Sequence, residues 1–264
     1  MDFLLPAGFT VFTWWLATLL LMRFSIRARP RCRITLAALS VMALAGLLGL
    51  VWTRADATVA GAYLGFISGL AVWAWLEMSY FLGFVTGPRP LACPPGLPPA
   101  QRFRYGVLAS LYHELSIVAV ALLITGLQFE AANPVGCWTY LLLWWMRWSA
   151  KLNIFLGVRN LHINFWPDHL QYLASYVGPA RFNWLFPLTM VVAGVVAVWL
   201  VYSAVVAAPQ SFERTAAVLL ASLLVLAMLE HVFLVVRLPD ASLWRWADSS
   251  GASPRPGLST GPES

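Results

Sequence analysis

From Phe9 to Val236 the chain alternates long apolar runs with short segments that carry most of its charge. The first run is FTVFTWWLATLLLM, ending at Arg23, and the second is ITLAALSVMALAGLLGLVW after Arg33. A third occupies roughly residues 60–85 and a fourth roughly 105–127. The fifth begins after Pro134 and passes through CWTYLLLWWMRWSAKLNIFL; the sixth is LFPLTMVVAGVVAVWLVYSAVV; the seventh covers roughly 216–236. Each run approaches the ~20 residues that a helix needs to cross a bilayer's hydrocarbon core. The pattern therefore predicts an all-α, polytopic integral membrane helical bundle with about seven transmembrane helices. Counts of six or eight follow if the fifth run or the 159–180 segment is re-entrant.

Between the fifth and sixth runs, Pro167 suits a first helical turn, and Leu170, Leu173 and Val177 recur at helical spacing. With Trp166, Tyr172 and Tyr176 this predicts a short helix in the cytoplasmic interface, serving as an anchor or as a lid. The segment GPRPLACPPGLPPAQRFR is proline-rich and is expected to be an extended connector. The bundle domain is placed at 1–248. The Gly-, Ser- and Pro-rich 249–264 is read as a disordered cytoplasmic tail. In the third run, Gly61, Gly65 and Gly69 lie four apart, a spacing that lets helix backbones approach closely.

Composition agrees with the pattern: 60% of residues are hydrophobic and 11% charged, against roughly a quarter charged in soluble domains. The net charge of +6 is no nucleic-acid footprint, because the arginines follow the loops. Arg23, Arg27, Arg29, Arg31 and Arg33 fall between the first two runs, and Arg89, Arg102 and Arg104 before the fourth. Arg159 and Arg181, then Arg237, Arg245 and Arg255, occupy later segments on the same side. Opposite lie Arg54 and Arg214, with Asp56, Glu130 and Glu213. That asymmetry predicts a periplasmic N-terminus and a cytoplasmic C-terminus. The opening MDFLLPAG lacks a basic stretch and reads as the start of an uncleaved first helix. Cys32, Cys93 and Cys137 lack metal-like spacing, and Cys32 and Cys93 fall in cytoplasmic loops, so no disulfide is expected.

Against this apolar background stand Glu77, His113, Glu114, Arg147, Lys151, Glu230 and His231, all inside predicted spans. At ~1.5 Å per residue they lie roughly 10–20 Å from the cytoplasmic ends. A charge there costs about 2.5–3.5 kcal/mol by insertion scales, so such residues face partners within the bundle. One reading is mutual neutralisation: Arg147 and Lys151, four apart, share a helix face and pair with Glu77 and with Glu114 or Glu230.

A second reading is a transition-metal site, with Glu77, His113, Glu114, His169, Glu230 and His231 as candidate ligands. The spacing departs from known templates. HELSI has Ile117 where a zinc peptidase has its second histidine, and adjacent His113 and Glu114 point about 100° apart. A third reading makes one or both histidines axial ligands of a tetrapyrrole, in a pocket lined by Trp73, Trp75, Trp144, Trp145 and Trp148. A proton-relay transporter would also use Glu and His chains, but the spans lack the paired helix breaks of transporters, so that reading ranks last.

The stretch MRWSAKLNIFLGVRNLHINFWPDHLQYLASY, with WLEMSYFLGFVTGPRP, LYHELSI, FNWLFPLT and LEHVFL, resembles the PuhE-type photosynthetic complex assembly proteins of purple phototrophic bacteria. These are polytopic proteins linked to the reaction-centre gene cluster. The segment from Arg147 through Lys151, Asn153 and Gly157 to Asn160 carries the resemblance most specifically. It implies assembly of the reaction centre and core antenna, or modulation of bacteriochlorophyll supply. It also implies an inner (intracytoplasmic) membrane location, contact with lipid, and partners among reaction-centre or light-harvesting subunits and pigment-synthesis enzymes. The resemblance transfers a process without catalytic residues, so the expectation is a non-enzymatic factor. The alternative is a metal-dependent membrane enzyme of pigment or isoprenoid metabolism using the Glu/His cluster.

Overall fold

The structure, a computed structural model, describes residues 1–27, 32–160, 166–178 and 183–236. The predicted tail, with Arg29, Arg31, His162, Asn164, Arg181, Arg237, Arg245 and Arg255, lies outside the described residues.

Among the described residues the regular structure is entirely helical: α1 (Leu4–Arg27), α2 (Arg33–Trp52), α3 (Val59–Phe81), α4 (Pro99–Leu127), α5 (Val135–Leu156), α6 (Leu185–Val206) and α7 (Phe212–Phe233). Five of these, α2, α3, α4, α6 and α7, are long and apolar enough to cross a membrane. The chain is a polytopic membrane helical bundle. The apolar part of α1 is shorter, Leu4–Leu20. The 22 residues of α5 give about 33 Å of length, but Arg147 and Lys151 dilute their hydropathy. Val191, Val195, Val198 and Tyr202 on α6 and Val41, Leu44 and Leu48 on α2 are exposed, the faces a bundle turns to lipid.

Helices α3 and α5 form the centre. Val72, Trp73 and Leu76 of α3 pack with Ile117 and Ile124 of α4 and Tyr140 of α5. The Tyr140 hydroxyl donates to the Ile117 carbonyl at 2.8 Å. On the other side of α5, Met146 joins Ala193, Ala197 and Leu200 of α6 and Leu220 and Leu224 of α7. The glycine spacing of α3 acts here. A side chain at Gly69 would run into the backbone of Gly136 on α5, and one at Gly65 would press on Asn133. The Asn133 amide ties the α4–α5 connection to α3, donating to the carbonyls of Asp56 at 3.1 Å and Gly61 at 2.8 Å.

Three boundaries depart from expectation. Helix α3 stops at Phe81 rather than near 85, because Gly83 turns with φ +77 and the Ser79 carbonyl accepts from the N–H groups of Phe84 and Val85. Helix α4 starts at Pro99, so PAQRFR is helical rather than extended. Proline at the first helical position gives up a hydrogen bond the helix could not make there anyway. The interfacial segment Asp168–Tyr176 is a 3₁₀ helix rather than an α-helix, with Pro167 outside it at ψ 143. Runs of 3₁₀ helix this long are uncommon, and this one is held from outside. The Tyr172 hydroxyl donates to the Ala109 carbonyl at 3.4 Å, the Tyr176 hydroxyl to the Leu91 carbonyl at 2.8 Å, and Ser175 Oγ accepts from Cys93 N at 2.8 Å. Burial raises the Tyr176 phenol pKa, against the nearby Arg89, so it remains a neutral donor.

Candidate functional site

The turn after α3 leads into an irregular segment that crosses α4. The His113 N–H donates to the Thr86 carbonyl at 3.0 Å, and a side chain at Gly87 would collide with the backbone of Leu108 and Ala109. The connector thereby fixes the part of α4 that carries His113 and Glu114 against the end of α3 that carries Glu77 and Tyr80.

Glu77, only 8% exposed, is met by a fork from α5: Arg147 Nε donates to Oε1 at 3.1 Å and Nη2 to Oε2 at 3.1 Å. Two parallel N–H···O contacts give this pair both strength and a fixed geometry. His113 Nε2 lies 3.6 Å from Glu77 Oε1, and the fully buried imidazole stacks on the Tyr80 ring with centroids 4.5 Å apart.

Glu114 points elsewhere. Its Oε1 is paired with Lys151 Nζ and accepts from Ser110 Oγ at 3.4 Å, while Oε2 accepts from Trp148 Nε1 at 2.7 Å. The Lys151 ammonium also sits over the Tyr80 ring, 5.1 Å from its centroid. Tyr80 is thus flanked by His113 and Lys151 and joins the two ion pairs into one layer. Tyr80 does not stand out in an apolar run as the ionisable residues do, and its one sequence signal is its place three residues after Glu77, on the same helix face.

The remaining candidates stand apart. Glu230 is exposed at the edge of the bundle and accepts from Trp14 Nε1 of α1 at 3.1 Å. His231 is buried, with Nδ1 donating to the Ala227 carbonyl at 2.8 Å and Nε2 3.0 Å from Ser149 Oγ. Ser149 in turn bonds Thr189 of α6 at 3.1 Å, and Asn153 Nδ2 donates to the Ser149 carbonyl at 2.9 Å. Asn183 completes this second polar group, donating to the Gly157 carbonyl at 2.8 Å and accepting from Phe186 N at 3.1 Å. It therefore caps the end of α5 and the start of α6 together. His169 packs against Gly83, in the turn after α3. Of the six candidate metal ligands, the structure brings Glu77 and His113 together. Among the described residues no group of three or more His, Cys, Asp or Glu could hold a metal ion. The tryptophans pack into the core: Trp73, Trp75 and Trp144 share one cluster, in which Trp73 meets Tyr140 edge-on, while Trp75 reaches Ser40 at 2.9 Å and Trp144 meets Trp148.

Next to the ion pairs lies a cavity of about 530 Å³ between α3, α4, α5 and the 3₁₀ segment. Its walls are apolar and aromatic, and Glu114, Arg147 and Lys151 stand among its lining residues. Leu170, Leu173 and Val177, whose spacing suggested a helix, line its 3₁₀ wall together with Trp166.

The sequence matches the family described as "Protein of unknown function (DUF3623)" over residues 1–255. It is 34% identical, over 242 residues covering 90% of this chain and 88% of the relative, to "Uncharacterized 30.4 kDa protein in puhA 5'region" of Rhodobacter capsulatus. No solved structure matches.

Proposed function

We propose that this chain, which belongs to the family described as "Protein of unknown function (DUF3623)", is a non-enzymatic assembly factor for the bacterial photosynthetic apparatus. Its clients would be the reaction centre and core antenna, or the enzymes that supply bacteriochlorophyll to them. The observation that carries this reading is the relative's position in a puhA 5' region. It agrees with the PuhE-type resemblance of the most specific segment, Arg147 to Asn160. The geometry supports a structural use of the polar layer. Glu77 and Glu114 each meet a cation from α5, so the pairs register α3 and α4 on the central helix.

The test is affinity purification of the tagged full-length protein from phototrophically grown cells in mild detergent. Reaction-centre, antenna or pigment-synthesis proteins are expected to co-purify, and a deletion strain is expected to accumulate altered amounts of assembled complexes. Normal complexes in the deletion strain would overturn the reading.

The chain is a multi-pass membrane protein, and its placement in the inner membrane with a periplasmic N-terminus belongs to the same proposal. Cys32 and Cys93 are partly exposed and Cys137 is buried. A membrane-impermeant maleimide is therefore expected to label Cys32 and Cys93 in inside-out vesicles, and neither in intact spheroplasts. Labelling of both from the outside would reverse the orientation.

A further inference from the structure

We infer that the cavity between α4, α5 and the 3₁₀ segment is a binding site for a single-chain amphiphile: one hydrocarbon chain ending in a carboxylate or phosphate. The inference stands independently of any role in assembly. A volume of about 530 Å³ is well beyond a packing defect. It falls within the roughly 300–1,000 Å³ typical of pockets that hold one small molecule.

The walls specify the chain. Phe81, Phe103, Phe155, Leu152 and Leu173 offer hydrocarbon and aromatic surface with few groups that need water. Phe103 and Val107 on α4 and Trp148 and Leu152 on α5 are exposed, so the cavity opens sideways between these helices, where a chain enters from the bilayer. No histidine is among its lining residues, which leaves a metallated macrocycle without an axial ligand from the walls.

The polar residues specify the head group. Glu114 accepts hydrogen bonds from Lys151, Trp148 and Ser110, so its acceptor capacity is engaged on both oxygens. The spare capacity is on the donors. An ammonium has three N–H groups and a guanidinium five. Lys151 spends one contact on Glu114, and the Arg147 fork uses only Nε and Nη2, leaving Nη1 outside it. About a quarter of each side chain, 25% for Arg147 and 24% for Lys151, is accessible, and both line the cavity. A head group that only accepts, and carries negative charge, matches that surplus. A cationic or purely donating head does not.

The experiment is native mass spectrometry of the delipidated full-length protein in a nonionic detergent, titrated separately with oleate, geranylgeranyl monophosphate, oleyl alcohol and dioleoyl phosphatidylglycerol. Saturable retention of one copy of oleate or of the prenyl phosphate is expected, and whichever binds more tightly identifies the head group. Oleyl alcohol is expected to bind about tenfold more weakly or worse, the worth of one hydrogen bond to a charged group. Leu173→Trp, which narrows the cavity, is expected to weaken retention several-fold. The double variant Glu114→Gln with Lys151→Gln, which leaves no lone charge, is expected to lose most of the preference for the anion over the alcohol. Failure of both anionic chains to bind, equal binding of the alcohol, stronger binding of the two-chain lipid, or full retention by folded Leu173→Trp would each overturn the inference.

Discussion

Glu77→Ala is expected to lower the stability of the detergent-solubilised protein by about 3 kcal/mol, the lower end of the cost of orphaning one member of a buried ion pair. The lower end applies because a quarter of the Arg147 side chain, 25%, remains accessible. For a chain of this size that is a fall in unfolding temperature of roughly 6–12 °C, readable by tryptophan fluorescence. The cause is the guanidinium left behind on α5, three-quarters buried and without the carboxylate that both of its contacts meet. Glu77→Ala combined with Arg147→Leu is therefore expected to recover part of the loss, since no lone buried charge is left behind. If the double variant is as unstable as the sum of the two singles, the fork contributes no coupling and the layer owes its order to packing alone.

Gly69→Val is expected to be at least as damaging, for a steric reason. The Cβ of any residue at this position would run into the carbonyl of Gly136 on the neighbouring α5. Backbone cannot swing aside as a flexible side chain can, so α3 and α5 would have to separate along their length. Overpacking of this kind costs about 1–3 kcal/mol per site and more when backbone is in the way. Alanine at Gly69 should already be destabilising, and valine should prevent recovery of monodisperse protein. Gly126 on α4 supplies the control. Nothing lies within 4 Å of a Cβ built there, so Gly126→Ala should be neutral or slightly stabilising through its helix propensity. Size-exclusion chromatography of the three variants separates the cases; equal behaviour of Gly69→Ala and Gly126→Ala would remove close packing as the reason for glycine at 69.

The helices were legible because a membrane imposes one length and one composition on every crossing element. The sixth run, LFPLTMVVAGVVAVWLVYSAVV, coincides with α6 residue for residue. Where the ends of helices are set by hydrogen bonds rather than by hydropathy, the apolar pattern misplaces them. The stop of α3 at Phe81 depends on Gly83 and the Ser79 carbonyl, and the start of α4 on Pro99. The polar residues were equally legible as a set, since ionisable groups stand out in apolar runs. Their pairing was not. Whether Lys151 meets Glu114 or Glu230 depends on which helices flank α5 and at what rotation, and single-helix periodicity carries no such information. Glu230 faces the edge of the bundle and meets Trp14 of α1, a contact between residues 216 apart that no local pattern announces. The cavity was invisible for the same reason: its walls come from four separate elements.

The Glu77–Arg147 fork also orders events in time. Its members are 70 residues apart, and the carboxylate is made first. At roughly 5–20 residues per second, the ribosome delivers Arg147 roughly 3–14 s after Glu77. Within that interval α4 brings a second carboxylate, Glu114, before either cation exists. Both cations then arrive on one helix, four residues apart. The order of the chain thus places both carboxylates before either cation, and neither pair can close until α5 has been made.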